Sequence, residues 1–238
     1  MEKERIQKIL SRAGLGSRRE CDRLVEAGRV KINNRVAVLG EKADISIDRI
    51  SVDGKPISLP KTEPIYIAFN KPKFVLSEMK KADDRKVISD FIPGEDYLFI
   101  VGRLDYDSEG LILLTNNGDV ANRLTHPRYE HEKEYLVLMK KKPDAKQIAA
   151  WKRGVVLENG YRTLPAEIAI HLETKNGCWV KTILKEGKKR QIREMGKTIG
   201  LPVRRIIRKR IGPLELGELK SGKWRMLNNR EIALLEKG

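Results

Sequence analysis

Ile6, Ile9, Leu10 and Ala13 recur at the spacing of one helical face, and Gly14 stands where that helix would end. Ser17-Arg18-Arg19-Glu20 then has the form of a capping box. Cys21, Leu24 and Val25 follow it at i, i+3 and i+4, and Gly28 closes this second helix. From Val30 to Val36 apolar and polar positions alternate around an Asn33-Asn34 turn, with another turn at Asp53-Gly54, so short strands are predicted. Ser58 to Pro64 has two prolines and no period, which predicts a linker and a boundary between domains 1–60 and 61–238. Beyond it, apolar runs predict strands at 65–69, 99–101, 111–114, 134–139 and 178–184. Helical patterns lie at 119–124, 144–153 and 190–199. Strands interleaved with helices predict an α+β fold: a small N-terminal α/β module tethered to a larger domain on a mixed or antiparallel sheet.

Charge narrows the classes. The 238 residues carry 49 Lys and Arg against 33 Asp and Glu, a net +16 that points to an anionic partner. Between Lys185 and Arg210 alone the basic excess is nine. There VRRIIRKR (residues 203–210) alternates isoleucine with basic residues, which predicts one buried face and one offered to phosphates, with Arg204, Arg205 and Arg208 among the contacts. With aromatics at 5%, base stacking is not expected to dominate, and structured RNA or duplex is the expected ligand. The charged start and the lack of any apolar run near 18 residues predict neither a secretory signal nor a membrane span, hence a cytoplasmic protein. Two cysteines without a C-x-x-C pair and three scattered histidines predict neither a disulfide scaffold nor a structural zinc site.

The stretch from Val101 to Asn116 places Asp105, Asp107 and Glu109 at i, i+2 and i+4 between apolar runs. On an extended backbone they would share one side. Arg103 beside them argues against a cation site. Gly110 suggests a bend that would splay the acids, which argues against a two-carboxylate hydrolase; a polar turn accounts equally for Asp107 and Glu109.

Two resemblances emerge from these residues. GLGSRRECDRLVEAGRVKINNR, within residues 4–58, resembles the small RNA-binding module named after ribosomal protein S4, which implies RNA contacts from Arg18, Arg19 and Lys31. GRLDYDSEGLILLTNNG (102–118) resembles the catalytic motif of the RsuA branch of pseudouridine synthases. FNKP (69–72), KEYLV (133–137) and EGKKRQIREM (186–195) agree in order, and LPVRRIIRKRIGPLELGELKSGKWRML (201–227) resembles the family's end. Glu194 departs from it, standing where a second basic residue is common.

The resemblance implies isomerisation of a uridine in ribosomal RNA to pseudouridine, without metal or cofactor. Asp105 is the implied catalytic carboxylate and Arg193 the arginine that pairs with it. Tyr135 is the implied active-site tyrosine, its ring against the base and its hydroxyl near the proton to be removed. Arg103 is implied to help displace the base. Arg190, Gln191 and Lys71 belong to the substrate-binding motifs, Lys71 with Pro72 shaping the pocket wall. The expected partner is ribosomal RNA or a ribosomal subunit precursor, met by a monomer, with large-subunit RNA favoured over small-subunit RNA. The competing expectations are a non-catalytic ribosome-assembly factor, which would not explain Asp105, Tyr135 and Arg193 together, and a hydrolase, for which the sequence offers no base or metal cluster.

Overall fold

The computed structural model describes residues 3–59, 63–92 and 98–237. The chain divides into two compact units, residues 1–63 and 64–238. The expected boundary between residues 60 and 61 falls on a segment, 60–62, outside the described residues.

In the first unit α1 (Ile6–Arg12) and α2 (Arg18–Glu26) precede β1 (Val30–Ile32), β2 (Arg35–Val36), β3 (Ile50–Val52) and β4 (Lys55–Pro56). The strands form an antiparallel sheet in the order β2-β1-β3-β4. The capping box closes as its sequence predicts: Ser17 Oγ accepts from Glu20 N at 3.3 Å, and Glu20 Oε2 accepts from Ser17 N at 2.6 Å. Asn33 and Asn34 both take positive φ, the conformation a two-residue hairpin requires. Ile6, Ile9, Leu10, Cys21, Val25, Val30 and Ile50 bury together as this unit's core.

The second unit is built on one large sheet. Its main strands are β5 (Tyr66–Lys71), β6 (Phe99–Val101), β7 (Glu109–Thr115), β8 (Lys133–Met139), β9 (Glu167–Thr174), β10 (Gly177–Leu184), β11 (Val203–Ile211) and β12 (Trp224–Met226), with the short strand Leu214–Glu215 paired to the end of β11. The order is β9-β10-β8-β11-β7-β5-β12, with β6 also paired to β7. Along this path β7 and β11 are the parallel pair, with Glu109 opposite Ile207 and Gly110 opposite Arg208. Helices α3 (Gly118–Thr125), α4 (Ala145–Arg153), α5 (Gln191–Thr198) and α6 (Asn229–Lys237) complete the unit.

Both β5 and β7 are buried along their whole length, which is why they read as continuous apolar runs rather than as alternation. Tyr66, Ala68, Leu111 and Leu113 join Val120 and Leu124 of α3 and Leu235 of α6 in one layer. Ile67, Phe69, Ile112 and Leu114 join Trp151 of α4 and Met195 of α5 in the other. Among the elements not predicted are β9, β12 and α6. β12 has three residues, too few to show a period, and in β9 the apolar Ile170 and Leu172 remain exposed.

Candidate active site

β6 ends at Val101 and β7 begins at Glu109, and the seven residues between them fold into the centre of the site. The entrance is held by Ser77, a buried side chain that donates its hydroxyl to Leu104 O at 2.7 Å and accepts from Leu104 N at 3.0 Å. Both backbone polar groups of the residue before Asp105 are thereby satisfied by one side chain. Ser108 N then donates to Asp105 O at 3.0 Å, closing a tight turn. Gly110 lies beyond it at φ +109, where a Cβ would come within 2.3 Å of Arg208 O. The glycine therefore permits close approach of β11 within a continuing strand; the bend expected at Gly110 is instead the turn at 105–108.

That turn sends the three acids to different partners. Glu109 is buried and takes a bidentate pair from Arg205, 2.8 Å from each oxygen, with Lys73 Nζ at 3.6 Å. Asp107 lies 3.0 Å from Arg193 Nη2 and 3.5 Å from Arg190 Nη1, and its carbonyl also accepts from Arg193 at 3.2 Å. Asp105 is half-buried and, among the described residues, has no hydrogen bond or ion pair to its carboxylate. The expected pairing of Arg193 with Asp105 is thus corrected: the acid that the turn presents to Arg193 is Asp107, while Asp105 faces the pocket.

Asp105 lines a pocket of about 440 Å³ together with Arg103, Tyr135, Ser108, Lys189 and Arg190. Tyr135 stands opposite Arg208 in the β8–β11 register and is 8% exposed. Arg103 is exposed and has no side-chain partner among the described residues. The far wall is the EGKKRQIREM loop, held by Glu186. Its carboxylate accepts from Tyr161 Oη at 2.6 Å, Leu164 N at 2.8 Å and Gln191 Nε2 at 2.6 Å. Gln191 also lines the pocket; it is buried and its Oε1 accepts from Lys188 N, so its side chain closes the loop. Ser77 and Glu186 escaped the sequence reading. Glu186 stood within a singled-out motif, whereas the partner of Ser77 is 27 residues away and no local pattern marks it.

Several expected RNA contacts lie elsewhere. Arg208 is 2% exposed, its Nε donating to Leu111 O at 2.7 Å and its Nη1 to Arg103 O at 3.4 Å. Burial lowers its pKa, partly offset by Tyr135. It supports the pocket from behind because its strand position shares the buried face with Ile206. Arg205 is engaged by Glu109, whose hydrogen bond raises its pKa. Arg204 is exposed and donates to Asn176 O at 2.6 Å, which leaves its charge unneutralised. Lys71 is fully buried, its Nζ donating to Pro72 O at 2.9 Å and Val75 O at 2.8 Å, and so forms the foundation of the wall rather than its surface. Burial pushes its ammonium down to about 8 against the opposing pull of Glu109, Asp107 and Asp105. In the first unit Arg18, Arg19 and Lys31 are all exposed without an ion pair among the described residues.

A carboxylate left free in a pocket rimmed by cations, on a mixed sheet, in a chain that also carries a separate basic module, defines an enzyme that works on a polyanion. The family model for RNA pseudouridylate synthase matches residues 65–197 and that of the S4 domain residues 4–45. The chain belongs to the RNA pseudouridylate synthase family. It is 41% identical to an uncharacterized RNA pseudouridine synthase of Aquifex aeolicus, across 98% of this chain and 94% of that one. It is 36% identical to ribosomal large subunit pseudouridine synthase B of Bacillus subtilis, across 98% and 95%. A crystal structure of pseudouridylate synthase superposes with a TM-score of 0.70 at 28% identity, covering 97% of this chain and 99% of that one. Among the described residues no helix is long and apolar enough to cross a membrane, and no group of three His, Cys, Asp or Glu could hold a metal ion.

Proposed function

We propose that this enzyme converts a uridine of large-subunit ribosomal RNA to pseudouridine in the cytoplasm, acting as a single chain without a cofactor, with Asp105 as its catalytic carboxylate. The observation that carries the assignment is the division of labour on the turn: Asp107 and Glu109 are both paired, and Asp105 alone of the three faces the pocket unpartnered. The choice of subunit rests on the activity named for the Bacillus subtilis relative.

The chemistry asks for what this pocket contains. The bond from ribose C1′ to uracil N1 breaks, the base turns, and C1′ joins C5, which then loses its proton; no atom enters from outside. An ionised carboxylate at the anomeric carbon either attacks it or stabilises the charge that develops there. Arg103, Lys188, Lys189 and Arg190 line the same pocket, and their positive charge attracts the phosphates of the approaching chain. Tyr135 supplies a flat wall for the uracil, held in place from behind by Arg208. Arg193 works through Asp107, fixing the turn on which Asp105 sits. Arg103 is placed at the rim to fill the space that an extruded base leaves.

Asp105→Asn preserves shape and removes the charge. It is expected to abolish pseudouridine formation while leaving RNA affinity within a few-fold. Mapping pseudouridines in ribosomal RNA from cells with and without the enzyme checks target and activity together. Turnover by Asp105→Asn near the wild-type rate would remove Asp105 from its role. Sites appearing in small-subunit RNA would correct the target, and an unchanged map would favour an assembly factor.

A further inference from the structure

Next to the catalytic turn lies a second groove of about 850 Å³, lined by Lys73, Phe74, Arg85, Lys86, Phe91 and Tyr106. Tyr106 follows Asp105 in the chain and lines both cavities. Phe74 is the unusual member. Its φ is +61, in the left-handed region, where a bulky side chain is sterically penalised and glycine is not. The residue is also 60% exposed to water. A residue disfavoured on both counts points to a use for the ring.

The surroundings show what that use is. Phe74 N donates to Tyr106 O at 2.7 Å, tying the aromatic pair to the turn that carries Asp105. The two rings meet edge to face with centroids 5.5 Å apart, and Tyr106 is 37% exposed. The Arg85 guanidinium lies 5.7 Å from the Tyr106 ring centre and is itself neutralised by Asp83, at 2.9 Å from Nε. Asp83 and Asp84 offset two of the three cations that line this groove, and its exposed surface is aromatic, which suits the face of a base better than a bare phosphate.

We propose that Phe74 and Tyr106 form a stacking platform for the base adjacent to the target uridine. The inference deepens the function proposed above and rests on RNA being the substrate. Extruding one base from a stack uncovers the face of its neighbour, and an exposed aromatic ring beside the extrusion site can cover it again. Stacking tolerates any base, so the platform contributes affinity and position rather than sequence readout.

The strain at Phe74 makes the test discriminating, because Phe74→Gly removes the ring and relieves the backbone together. The variant is expected to melt at a higher temperature than wild type while its KM for ribosomal RNA rises by about 5- to 150-fold, the usual worth of one stacked base. Tyr106→Leu is expected to raise KM in the same range. In parallel, a uridine decamer carrying one internal 2-aminopurine should bind the wild type with quenched fluorescence and lose both affinity and quenching with either variant. A lower melting temperature with unchanged KM and quenching would make Phe74 a packing residue and overturn the platform. A higher melting temperature with unchanged KM and quenching would overturn it as well. If the wild type isomerises nothing in ribosomal RNA yet the variants still lose the decamer, the assigned activity fails and the platform stands.

Discussion

Arg18-Arg19 at the head of α2 and Arg204-Arg205 near the head of β11 look alike in sequence, but the fold uses them differently. On α2 both side chains project into water with no acid paired to them among the described residues. They sit in the first helical turn, where the macrodipole disfavours cations, and an anion bound there would relieve that cost. On β11 the strand runs through the middle of a sheet between β8 and β7. Its alternate positions are therefore buried, and the fold had to neutralise or inter its cations: Arg205 against Glu109, Arg210 against Glu132 at 2.9 Å, and Arg208 inside the wall behind Tyr135. Positive charge counted along a sequence is thus not the charge available to a ligand. Burial and local acids decide how much remains.

The largest effect is expected at the most buried cation. Arg208→Ala should cost about 3–5 kcal/mol in urea denaturation, because it opens a cavity and strips Leu111 O of its donor. Arg208→Met keeps most of the volume and should cost less than about 2 kcal/mol. If Arg208→Ala were as stable as wild type and lost only RNA affinity, β11 would have to be grouped with α2.

Lys71 sharpens the same contrast through pH. Its folded pKa of about 8 lies below the ordinary 10.5, so between these values the unfolded chain holds a proton that the folded chain has released. Stability attributable to Lys71 therefore rises with pH across that window. The penalty for burying the charged ammonium is complete below about pH 8 and amounts to about 3 kcal/mol. In urea titrations, the stability of Lys71→Met minus that of wild type should shrink steadily as pH rises from 8 toward 10.5. A difference that is flat across this window would mean that Lys71 keeps its proton in the folded chain as it does in the unfolded one, its charge held by the Pro72 and Val75 carbonyls and the nearby acids.

Glu109→Gln tests whether the fold restrains an arginine that would otherwise meet RNA. The pair is bidentate, but the Arg205 side chain is 42% exposed, so the loss in stability should be only about 1–2 kcal/mol. Releasing Arg205 should at the same time steepen the salt dependence of RNA binding by up to about one unit. A large loss of stability with no change in salt slope would show the pair to be purely architectural.

How much of this was legible beforehand follows from the range of the interactions. The capping box at Ser17 and Glu20, the Asn33-Asn34 hairpin and the helix capped by Asp144 are local, and each formed where the spacing placed it. The buried strand at Leu111–Leu114 was readable because burial on both faces leaves an unbroken apolar run. The α+β architecture followed from these pieces. What the chain could not reveal was which acid meets which arginine. Asp107 and Arg193 are separated by 86 positions, and a single turn decides that Arg193 meets Asp107 rather than Asp105. The burial of Arg208 was hidden for a related reason: alternation shows that two faces exist, whereas the sheet neighbours determine whether the second face is wet.

The smallest expected effect is the one that most directly separates the two doublets. If Arg18 and Arg19 contact phosphates, each contact releases counterions on binding, and replacing both by Ala should flatten the slope of log affinity against log salt by about 1–2 units. Arg204→Ala with Arg205→Ala should flatten it by about one unit at most, since Arg205 already serves Glu109. Lys140 and Lys141, exposed at the end of β8, provide the control and should change the slope little. Stability should be unaffected by the α2 pair, whose side chains touch no acid and whose removal eases the helix dipole. Weakening should be similar for every RNA, because phosphate contacts position the chain without reading its bases. Fluorescence anisotropy across a salt series measures all three double variants on one scale. An unchanged slope for Arg18→Ala with Arg19→Ala, beside a strongly flattened one for the β11 pair, would reverse the comparison and make the strand the electrostatic contact after all.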